Sequence, residues 1–218
     1  MSEPGPGGPG SEGGQDTRSR LLEVAEREFA GHGFAGAHLQ AIAAQIGVQK
    51  TALYYYYPSK AALYEAVLVR MLEAFDHAVS KAIDVPESPV DRLERLIDAL
   101  NALLSEQRNY SQIMIRIFVD RVEIDGATLR PLIEQVVGRL LAFYREGIDA
   151  NVFAKLSSRN LFQSLLGICV FHYATGDFGA QVLGVDDIFT QSAVACRPDE
   201  VKRLIARGVL RHPPPDEV

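Results

Sequence analysis

The sequence lacks most of the features that mark an enzyme, a secreted protein or a membrane protein. Its two cysteines, Cys169 and Cys196, form no CxxC pair, which favours structural thiols in a reducing cytoplasm over a disulfide or a metal site. The N-terminus has no signal-peptide pattern, and no apolar run approaches the roughly 20 residues of a membrane helix. No P-loop, dinucleotide fingerprint or GxSxG motif occurs. We therefore expect a cytoplasmic protein that is not an enzyme, uses no cofactor or metal and does not contact a membrane.

Acidic residues are missing from one stretch of an otherwise acidic chain. The net charge is -6, yet not one Asp or Glu occurs between Phe29 and Tyr64, a window that contains Lys50 and Lys60. A surface that faces DNA phosphates requires such a clearance. Because the chain as a whole repels phosphate, we expect its contact with DNA to be local and not a nonspecific coating of nucleic acid.

The same stretch has the pattern of two short helices joined by a glycine turn. Apolar residues over 42–46 recur at helical spacing, and Gly47 can adopt the left-handed conformation that ends a helix. A second helix over 49–55 is anchored inward by Leu53, and Pro58 stops it. The pattern predicts a helix-turn-helix whose second helix fits the DNA major groove. A helical hairpin packed in a core would explain the apolar residues, but not the polar residues and tyrosines of the second helix.

Residues 17–67 closely resemble the DNA-binding domain of TetR-family transcriptional regulators. His38 departs from the family pattern, because the family usually has Thr or Ser there, which caps the second helix, and histidine is a poorer cap. The resemblance implies an all-α protein of about nine helices, with an N-terminal three-helix head that carries the helix-turn-helix and a C-terminal helical bundle. The matching residues are Phe29, Gly33, Phe34, Ile42, Ala43, Gly47, Val48, Leu53, Tyr54, Lys60, Leu63 and Tyr64.

Composition and helical periodicity divide the chain into four parts. Residues 1–15 are rich in Gly and Pro and hold almost nothing apolar, so we expect a disordered tail there. Asp16 can cap the first helix of the DNA-binding domain, which spans 16–62. Helices with apolar stripes occupy 63–210, the predicted ligand-binding and dimerisation domain, and 211–218 form a second tail.

The larger domain has its own predicted landmarks. A long helix from Ser59 to about Ile83 connects it to the head. Residues 176–184 are predicted to be a loop, and a last helix is expected around 199–207. The helix that contains 161–173 is apolar on nearly every face, which one subunit of this size cannot easily cover. We therefore expect this helix to lie at the interface of a homodimer.

Two sets of side chains carry the predicted function. The first is expected to contact bases or phosphates: His38, Gln40, Gln49, Lys50, Thr51, Ala52, Tyr54, Tyr55, Tyr56 and Lys60. The second is expected to line an effector cavity inside the helical body: Met71, Phe75, Leu100, Tyr110, Met114, Phe118, Phe143, Phe162 and His172. The same apolar stripes would also fit a solid core, so both arrangements stay open. Arg116 and Tyr144 are further polar residues in apolar surroundings, explained as well by hydrogen bonds as by a place in the cavity.

The resemblance implies a ligand-responsive transcriptional regulator that acts as a repressor. Two heads of a homodimer would reach successive major grooves of a palindromic double-stranded operator, about 34–36 Å apart per helical turn. A mainly apolar small molecule would shift the population towards a head spacing that no longer fits the operator. A regulator controlled by a protein partner is an alternative, which requires an exposed apolar patch and a filled interior. A helical enzyme with a coincidental helix-turn-helix is a third, and no catalytic set supports it.

Overall fold

The computed structural model describes residues 11–120 and 126–212. Over these residues the only extended pairing is an isolated antiparallel bridge of Phe153 with Leu210. The all-α prediction is confirmed, with ten helices in this part of the chain against the nine or so expected. No helix in the two described ranges combines the length and the apolarity that crossing a bilayer requires. In chain order the helices are α1 (Ser11–Gly36), α2 (Leu39–Gln45), α3 (Lys50–Tyr56), α4 (Lys60–Ile83), α5 (Pro89–Glu106), α6 (Arg108–Asp120), α7 (Gly126–Asp149), α8 (Ser158–Ala174), α9 (Gly176–Leu183) and α10 (Gln191–Val209).

Helix α1 begins earlier than the composition suggests. It starts at Ser11, so residues 11–15 belong to a helix and not to a disordered tail, and Asp16 lies inside the helix instead of capping it. Extending an existing helix adds one backbone hydrogen bond per residue without a new nucleus, and this outweighs the poor helix propensity of the two glycines there. The remainder of the predicted tails, 1–10 and 213–218, lies outside the described residues.

The head is built from α1, α2, α3 and the first turns of α4. Gly33 interrupts α1 with φ 70° and ψ 178°, a backbone conformation that in practice only glycine adopts. Just before this break, the Phe29 ring packs edge-on against Tyr64 of α4, with ring centres 4.8 Å apart. The fully buried side chains of the head include Leu21, Ala25, Ile42, Leu53 and Leu63.

The helix-turn-helix follows the predicted pattern closely. Helix α2 ends at Gln45, and Gly47 has φ 75° in the turn, while the Val48 N–H returns a hydrogen bond of 3.0 Å to the Ala43 carbonyl oxygen. After α3, the Ser59 hydroxyl accepts a hydrogen bond of 3.0 Å from the Ala62 N–H and caps α4. The predicted turn and the predicted cap are therefore both present.

Helix α4 belongs to the head and to the body. Its beginning packs in the head through Leu63 and Tyr64, and further along Met71, Phe75 and Val79 face the core of the body. Helices α5 and α7 pack along α4, α8 packs against α5, α6 and α7, and α10 packs against α5. Helix α6 also packs against α1, so it is a second element that touches both parts.

Two elements of the body differ from the sequence-based expectation. Residues 176–184 are not a loop: α9 occupies most of them, buries Ala180, and ends at Gly184 in the left-handed conformation. The glycines suggested a loop, but helix propensity is a weak local preference that packing overrides.

Helix α10 begins eight residues before the expected start at 199, at Gln191, where the Thr190 hydroxyl accepts a hydrogen bond of 3.3 Å from Ala193 N–H. It continues through Pro198, which has no N–H to donate to the carbonyl oxygen of Val194. The Asn101 side-chain amide of α5 donates to that oxygen instead, at 3.2 Å. A tertiary contact thus replaces the hydrogen bond that the proline removes, and this contact cannot be seen in the sequence.

Candidate DNA-binding face and effector cavity

Helix α3 turns one apolar residue inward and presents the rest of its surface to solvent. Leu53 is completely buried in the head core, whereas Gln49, Lys50 and Thr51 are exposed. Tyr55 is 81% exposed, which is unusual for an aromatic side chain that has no partner molecule. The predicted recognition helix therefore has the polar and aromatic outer face that contact with DNA requires.

The four consecutive tyrosines divide between the surface and the core. Tyr54 is 42% exposed, with the Lys50 Nζ 5.8 Å from its ring centre, and Tyr56 is half-buried against the edge of Tyr55. Tyr57 is buried, and its hydroxyl accepts a hydrogen bond of 3.3 Å from Arg18 Nε of α1. The structure thus leaves Tyr54 and Tyr55 available to a ligand, with Tyr56 behind them.

The residues predicted around α2 and at the start of α4 surround this face. His38 and Gln40 are exposed, and His38 occupies the N-cap of α2 with no hydrogen bond from its side chain, as expected for a poor cap. Ala52 is half-buried. Lys60 donates a hydrogen bond of 3.0 Å to the Ala35 carbonyl oxygen, and burial lowers the pKa of its ammonium group. Contact of any of these side chains with DNA remains a prediction.

The body contains a cavity of about 320 Å³ between α4, α5, α6, α7 and α8. Phe118 of α6 and Ile133 of α7 line it although they are 68% and 46% exposed, so the cavity reaches the surface between these two helices. Its lining consists of Met71, Leu72, Phe75, Val79, Leu96, Leu100, Leu104, Met114, Ile117, Phe118, Ile133, Val136, Val137, Leu140, Phe162, Leu165, Leu166, Cys169 and Val170.

Three residues predicted to line this cavity lie elsewhere. Phe143 lines a smaller space nearby, of about 40 Å³, and Tyr110 borders a shallow polar depression beside α1. His172 contacts Tyr173, with ring centres 4.7 Å apart. A helical stripe shows that a side chain points inward, but not which part of the interior it meets, and this explains the three errors. The six others are among the lining residues: Met71, Phe75, Leu100, Met114, Phe118 and Phe162.

The wall of the cavity is chemically uniform. Every side chain on it is apolar except the Cys169 thiol, and burial raises the pKa of that thiol to about 11, an effect that the nearby charge of Arg197 opposes. The thiol is therefore neutral at pH 7 and unreactive as a nucleophile. In the described part of the chain, no group of three or more His, Cys, Asp or Glu side chains is arranged to hold a metal ion.

Sequence reasoning missed the polar contacts between the head and the body. Arg116 does not enter the cavity: its guanidinium donates to the carbonyl oxygens of Ala30 and Gly31 in α1. Glu26 of α1 is buried, and it accepts hydrogen bonds from Arg70 and, at 3.0 Å, from the Asn109 amide. The only signal in the sequence was a charged residue inside an apolar stripe, which does not name its partner.

The structure consists of a small helix-turn-helix head that a continuous helix joins to a larger helical body. This architecture defines a class of proteins, the DNA-binding regulators. Residues 21–67 match the family described as bacterial regulatory proteins, tetR family. Along nearly the whole chain, the HTH-type transcriptional regulator RutR of Escherichia coli K12 is 30% identical over 205 residues, which cover 88% of this chain and 90% of RutR. The chain therefore belongs to the TetR family and is a DNA-binding transcriptional regulator.

Solved structures of other regulators share the fold. The TetR-family regulator PfmR of Thermus thermophilus superposes with a TM-score of 0.61 at 22% identity, over 71% of this chain and 84% of that one. The fatty acid degradation regulator FadR of Bacillus halodurans gives a TM-score of 0.62 at 14% identity, over 84% of this chain and 97% of that one. At these identities the likeness concerns the fold alone.

Proposed function

We propose that this protein is a cytoplasmic, homodimeric repressor without catalytic activity that leaves a palindromic operator when a mainly apolar small molecule fills the cavity of its body. The observation that carries the proposal is the position of the cavity. Its wall includes α4 and α6, both of which also contact the head. A ligand that binds one arrangement of these helices better than another shifts the population of head positions.

The size and chemistry of the cavity restrict the ligand. One water molecule, which has a single non-hydrogen atom, occupies about 30 Å³ in the liquid. A cavity of about 320 Å³ therefore holds roughly ten non-hydrogen atoms. A polar group buried against this wall would lose its hydrogen bonds to water, at a cost of about 2–7 kcal/mol. The ligand we propose is therefore a hydrocarbon chain or ring whose one or two polar groups stay at the mouth, near Phe118 and Ile133.

The outer face of α8 is our candidate for the dimer interface. Phe171 is 63% exposed on this helix, although it is a large apolar side chain. A second copy of the chain that covers α8 would bury it. Leu165 and Ile168, in contrast, are half-buried inside the subunit, and Leu165 lines both cavities of the body.

Control by a protein partner is the second candidate. Helix α9 exposes Phe178, Val182 and Leu183, an apolar patch of the kind this mechanism requires. Its other requirement was a filled interior, and the cavity argues against that. The small-molecule proposal is therefore the stronger of the two.

Filling the cavity tests the proposal. Operator DNA is first selected from a random duplex library with the full chain, and n-decanol, an uncharged ten-carbon chain with one hydroxyl, serves as the probe. Decanol should weaken DNA binding by the wild type about tenfold. Met114→Trp and Leu100→Phe should abolish the response to decanol with little loss of stability, because the larger side chain occupies the available space in place of the ligand.

Ile115→Trp is the matched control, since Ile115 lies on the same helix, is exposed, and does not line the cavity. It should respond to decanol like the wild type. If the filled variants respond fully, the cavity is not the effector site and the protein-partner mechanism takes precedence. If decanol fails to bind, the proposed ligand class fails.

A further inference from the structure

Helix α6 has two faces with different neighbours. Met114, Ile117 and Phe118 lie on the face that lines the cavity. Arg116 and Asp120, one turn apart, lie on the other face and contact the end of α1. A displacement of α6 by a ligand therefore acts on the contacts of Arg116 and Asp120 directly.

These contacts hold α1 around Gly33, where its helix is interrupted. Arg116 Nε donates a hydrogen bond of 2.6 Å to the Ala30 carbonyl oxygen, and the Phe34 N–H donates one of 3.1 Å to Asp120 Oδ2. Gly33 lies between them with its left-handed backbone, and a Cβ on it would lie 2.5 Å from Asp120 Oδ2 and 2.9 Å from Arg116. The φ of 70° favours glycine at this position, and a side chain here would also push the ends of the Asp120 and Arg116 side chains aside.

Phe34 connects the contacts of Arg116 and Asp120 to the DNA-binding face. Its ring centre is 5.2 Å from that of Tyr64, and the Lys60 Nζ is 5.0 Å from it. Lys60 and Tyr64 lie in the first turns of α4, directly after the recognition helix. The hydrogen bond of Asp120 to Phe34 therefore holds the junction between α1 and α4 in place.

Tyr64 offers Asp120 a second partner. The Tyr64 side chain is buried, and its hydroxyl has no hydrogen-bond partner among the described residues. Burial first, and then the negative charge of Asp120, raise the pKa of this hydroxyl to about 12, while the charge of Arg116 opposes them. A protonated hydroxyl can donate a charge-assisted hydrogen bond to a carboxylate that approaches it.

We propose that Asp120 exchanges partners: it holds the Phe34 N–H when the cavity is empty and accepts from the Tyr64 hydroxyl when a ligand displaces the end of α6. The exchange replaces one charge-assisted hydrogen bond with another, so the two arrangements are close enough in free energy for a ligand to select between them. Release of Phe34 frees the junction at Gly33 and lets the head leave its DNA-binding position. The inference rests on the proposed cavity function.

The exchange rate of the Phe34 amide hydrogen reports this step in the full chain. Calorimetry first establishes that n-decanol is bound. Decanol should then accelerate Phe34 exchange about tenfold in the wild type and weaken binding to the selected operator by a similar factor. In Tyr64→Phe, which lacks the second partner, both effects should fall below about twofold, while DNA affinity without decanol stays unchanged.

Tyr144→Phe is the matched control, because the Tyr144 hydroxyl donates its hydrogen bond to the Ala154 carbonyl oxygen within the body. This variant should respond like the wild type. Phe34 exchange that is unaffected by bound decanol, or a full response of Tyr64→Phe, overturns the exchange of partners and leaves the proposed function standing. If decanol does not bind, the proposed ligand class fails. Met114→Trp then fills the cavity in its place, and unchanged Phe34 exchange in that variant overturns the inference.

Discussion

The Lys60 ammonium group donates a hydrogen bond to the Ala35 carbonyl oxygen, 3.0 Å away. This contact ties the N-terminus of α4 to the last turn of α1, and it leaves two of the three N–H bonds of the ammonium group free to meet a phosphate. The positive end of the α4 dipole lies at the same place. Lys60 can therefore act on DNA binding both by its own charge and by the position it gives to α4.

We expect Lys60→Ala to weaken binding to all DNA sequences by a similar factor. The loss of one phosphate contact should also flatten the dependence of log Kd on log salt concentration by about one unit of slope. Titration of DNA at several salt concentrations measures both effects. Lys81→Ala, at the far end of the same helix, should change neither, and an unchanged slope in Lys60→Ala would refute the phosphate contact.

Lys50 is expected to act on sequence preference as well as on affinity. It is exposed at the start of α3, and if it reads a guanine, Lys50→Ala should cost about 1–3 kcal/mol of specific binding. Selection from a random duplex library with each variant measures the change in the preferred sequence. Retention of both specific and nonspecific affinity would show that α3 is not the recognition helix.

A charge on the outer face of α8 should separate the subunits. Phe171→Glu places a carboxylate where the proposed partner subunit would exclude water, and an unpaired buried charge is strongly unfavourable. Light scattering at micromolar concentration should then show monomers. Val119→Glu, at an exposed apolar residue of α6, is the control and should stay dimeric. A monomeric wild type would refute the interface without any variant.

His172 should make the protein less stable in mild acid. Burial, with a contribution from the charge of Arg197, lowers the pKa of its imidazole from 6.5 to about 4. The unfolded chain thus takes up this proton as the pH falls through 6.5, while the folded chain does not until about pH 4. Above pH 6.5 the neutral imidazole costs the folded state nothing. Between pH 6.5 and about pH 4 the free energy of unfolding falls, by about 1–3 kcal/mol in total.

Urea unfolding at pH 7 and at about pH 4.5 measures this loss. His172→Gln should remove its part of the difference between the two conditions, whereas His77→Gln, at an exposed position of α4, should leave the difference as in the wild type. An equal loss in His172→Gln and in the wild type would contradict the assignment.

Local signals made the head predictable from the sequence. The left-handed Gly47, the inward Leu53 and the Ser59 cap each act within a few residues of their own position, so the pattern and the structure agree. Contacts between distant parts of the chain were not predictable. Asn101 makes Pro198 tolerable inside α10 from nearly a hundred residues away, and no periodicity records such a contact.

The cavity of the body was predictable only in part, for a related reason. Apolar stripes correctly gave Met71 and Met114 inward positions, but a stripe also fits Phe143, which packs around a separate space. Whether side chains on five helices meet or leave room between them depends on how the helices are placed relative to one another. That placement depends on long-range contacts such as those of Arg116 with α1.

The uniform wall of the cavity and the absence of tryptophan from the chain together make the protein a convenient optical sensor. Phe118→Trp would place the only indole ring of the molecule at the mouth of the cavity, where its fluorescence is separable from that of the eight tyrosines. A ligand that enters past this ring replaces water around the indole with hydrocarbon and shifts the wavelength of its fluorescence emission. Cavity occupancy and DNA release can then be followed in the same cuvette, in real time and without a chemical label.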